Sequence, residues 1–403
     1  MAQGKPGLAA GKGRRRLRAA GRLLARVALA ATLLLSLFLS LTPTGRAATR
    51  AAVLLPALIG ASEPGVLLLA GDPIHHTQRV IPSDDGPVYL DTWAPTTPPP
   101  PLPGSREGLL LIPGVGDNRG VEQLVNLAES LARAGIVTMS MTTDTLISYQ
   151  LAPTTVDAVV EATLALQRYP GVGRGAVGII GFSAGGSLGA LAAADPRIRD
   201  TLAFVLSFGG YYDARSLLRD LGRRTISVDG KLVAWNPDPV PVQTLANTLS
   251  PTLPSLDYAR IVSGFNPNDG VYLPPGEVAQ LTPVGRAAYH LIVGDEPDQV
   301  DANLAALTPA GGDALLTALS PSAAVGQIHA PVYLLHDQSD IYVPFTESRD
   351  FAATLTREGH RHEFVEFSIF AHVEVKSGLG VGPELRDGLA LYRVLLLALA
   401  PSA

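Results

Sequence analysis

Gly181-Phe182-Ser183-Ala184-Gly185 is the stretch whose residue types and spacing point most directly to chemistry. A serine hydroxyl attacks an acyl carbon only when it stands clear of the backbone and a base takes its proton. Gly181 and Gly185, two positions either side of Ser183, would let the chain cross itself in a tight strand-to-helix turn that lifts the hydroxyl. The same turn would aim the Ala184 N–H at an oxyanion forming on the attacked carbonyl. With 41 glycines in 403 residues the spacing alone is a weak signal, and a plain Gly-rich turn is the bland alternative. Context favours the nucleophile, because an apolar run at 176–180 precedes the motif and a small-residue run at 184–194 follows it.

A nucleophilic serine needs an imidazole, and the imidazole needs a carboxylate to orient it. His372, in Ile369-Phe-Ala-His-Val-Glu374, is the one histidine after the last strand-like run, 362–367. Asp337 and Asp340 both follow the strand-like run 331–336, in Asp337-Gln-Ser-Asp340-Ile-Tyr-Val-Pro344. Asp340 is preferred because it lies deeper in the loop, just before the Val-Pro that opens the next element. Asp337 stays open, and either could be a turn aspartate. A second oxyanion donor is expected from Pro113-Gly-Val-Gly-Asp-Asn118, with the Val115 N–H as the choice. The remaining histidines suggest no site. His336 should pack at a strand end, His360 and His362 should be solvated, and His290 and His329 show no partner. His75-His76 lacks a carboxylate cluster, so no metal and no cofactor are expected. With no cysteine in the chain, disulfides and thiolate chemistry are excluded.

The elements that would position these groups alternate. Strand-like runs at 77–82 and 87–93 flank the turn Ser83-Asp84-Asp85-Gly86, and further strands are expected at 108–112, 136–141, 176–180 and 202–207. Helices are expected at 121–134, at about 154–168 with Thr154 or Thr155 as cap, and at 184–194. Strands alternating with helices of this length imply parallel pairing through crossovers. Between 211 and 325 the alternation fails among prolines and asparagines, which reads as an insertion over a core formed by 73–210 and 326–403.

Charge is unevenly spread. Residues 1–62 hold 10 of the 31 Lys and Arg and no acid, which leaves 21 basic against 36 acidic residues in 63–403, a net −15. An acidic body makes a nucleic-acid partner unlikely on electrostatic grounds. In the leader 1–50, Lys12, Arg14, Arg15, Arg16, Arg18, Arg22 and Arg26 precede the uncharged stretch 27–45, whose 19 residues at ~1.5 Å rise just reach a hydrocarbon thickness of ~30 Å. A single membrane-anchoring helix is the preferred reading, with the body extracytoplasmic by the positive-inside rule. A cleaved signal is the alternative, although 42–48 offers no clean A-x-A site. The apolar patch 51–59 is too short to span and is either interfacial or a packing element.

The combination of Ile112-Pro-Gly-Val, Gly181-Phe-Ser-Ala-Gly, Asp340-Ile-Tyr-Val-Pro and His372 resembles the α/β-hydrolase superfamily, nearest to its dienelactone-hydrolase-like and esterase-like members. The resemblance implies an α/β fold with a mostly parallel eight-stranded sheet, helices on both faces and an inserted cap. It also implies hydrolysis of a small-molecule ester or acyl substrate through an acyl-enzyme. The chain departs from the pattern in having Pro113-Gly114 where relatives often carry His-Gly, and in lacking the cysteine of true dienelactone hydrolases. A peptidase or acyltransferase would use the same residues. A membrane-tethered binding protein that kept the fold without catalysis is the reading from a different class.

Overall fold

Apolar runs of period two become the strands of one sheet. The computed structural model describes residues 32, 34–58, 65–98, 106–266, 270–368, 370–372, 374–376 and 381–400. Apart from three small two-stranded hairpins, its strands are β1 (Ile74–Ser83), β2 (Gly86–Pro95), β3 (Arg106–Ile112), β4 (Val137–Thr143), β5 (Val172–Phe182), β6 (Leu202–Phe208), β7 (Val332–Asp337) and β8 (His362–Phe367). They form a single sheet in the order β1-β2-β4-β3-β5-β6-β7-β8. The expected hairpin is present and longer than read, with β1 and β2 antiparallel and in register from Ile74 opposite Pro95 to Ser83 opposite Gly86. Strand β2 also runs antiparallel to β4, and every pairing from β4 through β8 is parallel.

Alternation along the strands divides the core in two. In β3, Leu110 and Ile112 join one buried cluster while Leu109 and Leu111 join the other. Adjacent residues of a strand point to opposite faces, so a strand apolar at every position is covered on both sides. The outermost strand β1 is mostly exposed and carries His75, His76, Gln78 and Arg79, a polar edge that resists pairing with other chains.

The helices cover these two faces. The main ones are α1 (Pro43–Leu58), α2 (Glu122–Arg133), α3 (Pro153–Gln167), α4 (Ala184–Ala192), α5 (Ala214–Arg223), α6 (Pro239–Leu249), α7 (Pro283–Val293), α8 (Gly312–Ala318), α9 (Phe345–Arg357) and α10 (Val381–Leu399), with further short helices, among them Ser255–Ser263 and Val300–Leu307, between them. Helices α1, α2 and α10 bury Leu54, Leu127 and Leu391 on one face, while α3, α4 and α9 bury Val160, Leu188 and Leu355 on the other. Helix α3 opens on Pro153, so neither threonine is its N-cap. The Thr155 hydroxyl instead accepts the Ala152 N–H at 3.3 Å from the third helical position. The stretch 211–325 is mainly helical, and its Leu217, Leu245 and Leu291 share one apolar cluster with the sheet.

Helix α1 crosses the leader boundary expected at residue 50. Ala51 and Leu54 are fully buried against the body, and Arg50 pairs with Glu107 at 3.0 Å. The patch 51–59 is therefore a packing element as far as it is described. Residues 27–31 and 33 of the expected spanning stretch 27–45 lie outside the described residues. Among those described, no helix is long and apolar enough to cross a membrane.

Candidate active site

Strand β5 ends at Phe182 and α4 begins at Ala184, leaving Ser183 on the bend with φ 54° and ψ −135°. Positive φ is costly for a residue with a Cβ and persists only where its surroundings enforce it. Here the Ser183 N–H donates to the Phe208 carbonyl at 2.8 Å and the Ser183 carbonyl accepts the Gly186 N–H at 2.9 Å. The flanking glycines are sterically required. A Cβ on Gly181 would stand 2.2 Å from the Gly185 oxygen, and one on Gly185 would stand 2.2 Å from the Ile112 oxygen. The sequence reading did not single out Gly186, where a Cβ would come within 2.2 Å of the Ser207 hydroxyl.

The loop after β3 crosses directly over this bend. A Cβ on Gly114, whose φ is +89°, would lie 3.3 Å from the Ser183 Cβ and 3.9 Å from the Ala184 nitrogen. The Asn118 amide donates to the Val115 carbonyl at 2.7 Å, and the Gly116 N–H donates to Leu146 at 2.8 Å, which fixes the plane of the intervening peptide. The Val115 N–H donates to no protein group among the described residues. Ala184 N–H sits at the first helical position, where no intrahelical acceptor exists.

Of the two aspartates, Asp340 meets the imidazole, with His372 Nδ1 and Asp340 Oδ2 2.5 Å apart. The other carboxylate oxygen accepts the N–H groups of Tyr342 at 2.7 Å and Val343 at 3.0 Å. Burial would raise this carboxyl, but the positive field of His372 and hydrogen bonds from His336 and His372 outweigh it and hold the group well below the usual range. Asp337 serves the loop instead, accepting the Phe370 N–H at 2.9 Å and facing the Lys376 ammonium at 3.3 Å. His372 has φ 60° and forms the bend of a two-residue hairpin, Phe370–Ala371 against Glu374–Val375, where the turn requires positive φ. The Tyr342 ring stacks on the imidazole with centroids 4.6 Å apart.

Ser183 and His372 both border the segment Phe208–Gly209. Ser183 is tied to the Phe208 carbonyl, and a Cβ on the next residue, Gly209, would lie 3.1 Å from the His372 ring. Among the described residues the Ser183 hydroxyl makes no hydrogen bond, so the Oγ–Nε2 link is open in the resting geometry. Catalytic hydrogen bonds commonly tighten only once substrate is bound.

Several neighbours escaped the sequence reading. The Trp235 indole, from the insertion, donates to the Asp340 carbonyl at 3.0 Å. His336 is buried as expected, yet its Nε2 also lies 3.3 Å from Asp340 Oδ2 while Nδ1 meets the Ser348 hydroxyl at 2.7 Å. Gly209-Gly210 directly after a strand was the available signal for the imidazole's seat. His290 and His329, read as unpartnered, pair with Asp295 at 2.8 Å and Asp200 at 2.6 Å, both at the surface. His76 pairs with Asp91 at 2.8 Å and stacks on Trp93. Among the described residues no cluster of ligating side chains could hold a metal ion.

A cavity of about 50 Å³ opens beside Ser183. Val115, Ser183 and Ala184 line it together with Leu217, Leu245 and Leu316 of the stretch 211–325.

No family model and no curated protein matches the chain. Among solved structures it is similar to a hyperthermophilic esterase from the archaeon Pyrobaculum calidifontis, at 18% identity and TM-score 0.43, over 88% of this chain and 93% of that one. It is also similar to the acylaminoacyl peptidase of Pyrococcus horikoshii, at 13% identity and TM-score 0.48, over 82% of this chain and 42% of that one. For a dipeptidyl peptidase 4 from Porphyromonas gingivalis the values are 12% and 0.44, over 81% and 35%. The chain thus spans well under half the length of either peptidase. These are likenesses of fold. The mostly parallel eight-stranded sheet and the strand-to-helix turn at Ser183 are as expected from the sequence.

Proposed function

We propose that the protein is a serine hydrolase that cleaves a carboxylic ester through an acyl-enzyme. The observation that carries this reading is the Asp340–His372 pair at 2.5 Å, seated on Gly209 beside the strained Ser183. With Nδ1 donating to Asp340, Nε2 is left to accept the Ser183 proton. The Ser183 oxygen bonds to the acyl carbon while charge collects on the carbonyl oxygen, and the N–H groups of Val115 and Ala184 receive it. The C–O bond to the leaving alcohol then breaks, and the imidazolium protonates that alcohol. Water, deprotonated by the same imidazole, releases the acid and restores Ser183. Amide cleavage or transfer to another acyl acceptor would use the same groups.

A fluorophosphonate probe on the full-length protein, with tandem p-nitrophenyl ester and p-nitroanilide assays, tests the reading. Adduct formation at Ser183, lost in Ser183→Ala, with ester turnover exceeding anilide turnover, is the expected result. No labelling under any condition would leave a non-catalytic binding protein as the better account.

We also propose that the N-terminal segment holds the protein at a membrane with the hydrolase body extracytoplasmic. Support comes from the basic residues before the uncharged stretch 27–45, and from Leu34, Leu35 and Leu41, more than half exposed just before the docked α1. Retention in the membrane pellet after carbonate extraction is expected, and release by carbonate would overturn it.

A further inference from the structure

We propose that the cavity beside Ser183 is an acyl pocket that selects short, uncharged, apolar acyl groups, and that the insertion is what sets this preference. The inference rests on the hydrolase reading and adds the substrate class to it.

Its lining is mostly apolar and carries no charged side chain: Val240, Leu245, Leu316, Leu319 and Val343 line it, and no Asp, Glu, Lys or Arg does so among the described residues. Of its hydroxyls, Thr244 donates to the Val240 carbonyl at 2.8 Å and Thr248 accepts the Leu151 N–H at 3.0 Å, while the buried Tyr211 hydroxyl has no partner among the described residues. A charged group entering this space would lose most of its hydration with no countercharge to replace it. A substrate with a free amino terminus would need a carboxylate here, and none is present among the lining residues.

Its position fixes which half of the ester it takes. Both groups assigned to the oxyanion, on Val115 and Ala184, lie on its wall, whereas His372 does not. The leaving alcohol must face the imidazole that protonates it, so the alcohol lies outside and the acyl chain inside. A volume of about 50 Å³ admits only a few water-sized groups, which excludes long chains without rearrangement.

The experiment is kcat/KM for full-length protein on p-nitrophenyl acetate, butanoate, hexanoate and hexadecanoate, on the succinate half-ester and on alanine p-nitroanilide, alongside active-site labelling. Butanoate is expected to exceed acetate by about tenfold and hexadecanoate by about 100-fold, as burial of a few methylenes and exclusion of the rest would give. The succinate and alanine substrates are expected at least about 100-fold below butanoate. Leu245→Ala should move the optimum to a longer chain, and Ala214→Leu should spare acetate while losing butanoate; either shift sustains the proposal if the other variant does not fold. A labelled, active enzyme with a flat or rising chain-length profile, or with equal turnover of charged acyl groups, overturns the acyl pocket and leaves the hydrolase standing. Absence of labelling at Ser183 removes both.

Discussion

The indole N–H of Trp235 donates to the backbone carbonyl of Asp340 at 3.0 Å, although 105 residues separate them. Asp238 N–H adds a bond to the Ile341 carbonyl at 2.9 Å, so the insertion grips the loop whose carboxylate meets His372. Trp235→Phe keeps most of the buried ring and removes the donor. An unsatisfied buried carbonyl costs about 1–3 kcal/mol, and that loss is expected in urea unfolding. Because the bond holds the acid loop and touches no substrate, kcat should fall with little change in KM. Unchanged kcat would mean that the insertion does not support the acid.

Asp340 and Asp337 can be separated by substitution. Asp340→Asn should lower kcat/KM by about 10³–10⁴-fold, since an amide neither fixes the imidazole tautomer nor stabilises its charge. Asp337→Asn removes a carboxylate that holds the Phe370 N–H and Lys376 rather than the imidazole. It should lower stability while leaving most of the turnover. Steady-state kinetics and thermal unfolding on both variants decide, and a larger kinetic loss in Asp337→Asn would reverse the assignment.

The glycine requirement at the bend is steric and predicts position-specific damage. Gly185→Ala would place a Cβ 2.2 Å from the Ile112 oxygen, a backbone atom that cannot swing away. A loss of about 3 kcal/mol or more is expected, at the upper end for overpacking. Gly120→Ala, where a Cβ would meet nothing within 4 Å, should change stability little. Comparable melting shifts in the two variants would remove the steric account.

Local pattern carried most of the fold. Gly108-Leu-Leu-Leu-Ile112 announces a strand buried on both faces, and Ser183 is legible because its turn needs glycines at fixed offsets. Contacts between distant segments were not legible. Nothing in the order of residues says that Trp235 reaches Asp340, or that Asp337, three positions away, turns to Phe370. The docking of α1 was hidden because the leader is expected to end at residue 50, inside this helix, and nothing local says that Arg50 pairs with Glu107. The partners of His290 lay only five residues off, at a helix end where a Gly294 cap folds Asp295 back, a local signal that was passed over.

Glu347 makes the strongest prediction for pH. It stands in the first turn of α9, almost fully buried, and accepts the N–H groups of Tyr212 at 2.8 Å and Asp213 at 2.7 Å as well as the Ser216 hydroxyl. Burial pushes its carboxyl up to about 8, the Ser216 and backbone donors pull it down, and Asp220 pushes it up further. The folded protein therefore keeps a proton that the unfolded chain releases near pH 4.5, so this group's stabilisation is full below that pH and is lost as pH rises toward 8. The slope cannot exceed ~1.4 kcal/mol per pH unit for one proton. Asp220, raised by burial to about 6, adds a slope of the same sign at lower pH, so a difference measurement is needed. Glu347→Gln keeps the volume and an acceptor oxygen but cannot titrate. Urea unfolding at pH 5, 6, 7 and 8 should show wild type losing stability relative to the variant as pH rises, most steeply between 6 and 7 and less so toward 8. Parallel stability curves for the two proteins would show that Glu347 is ionised in the fold throughout.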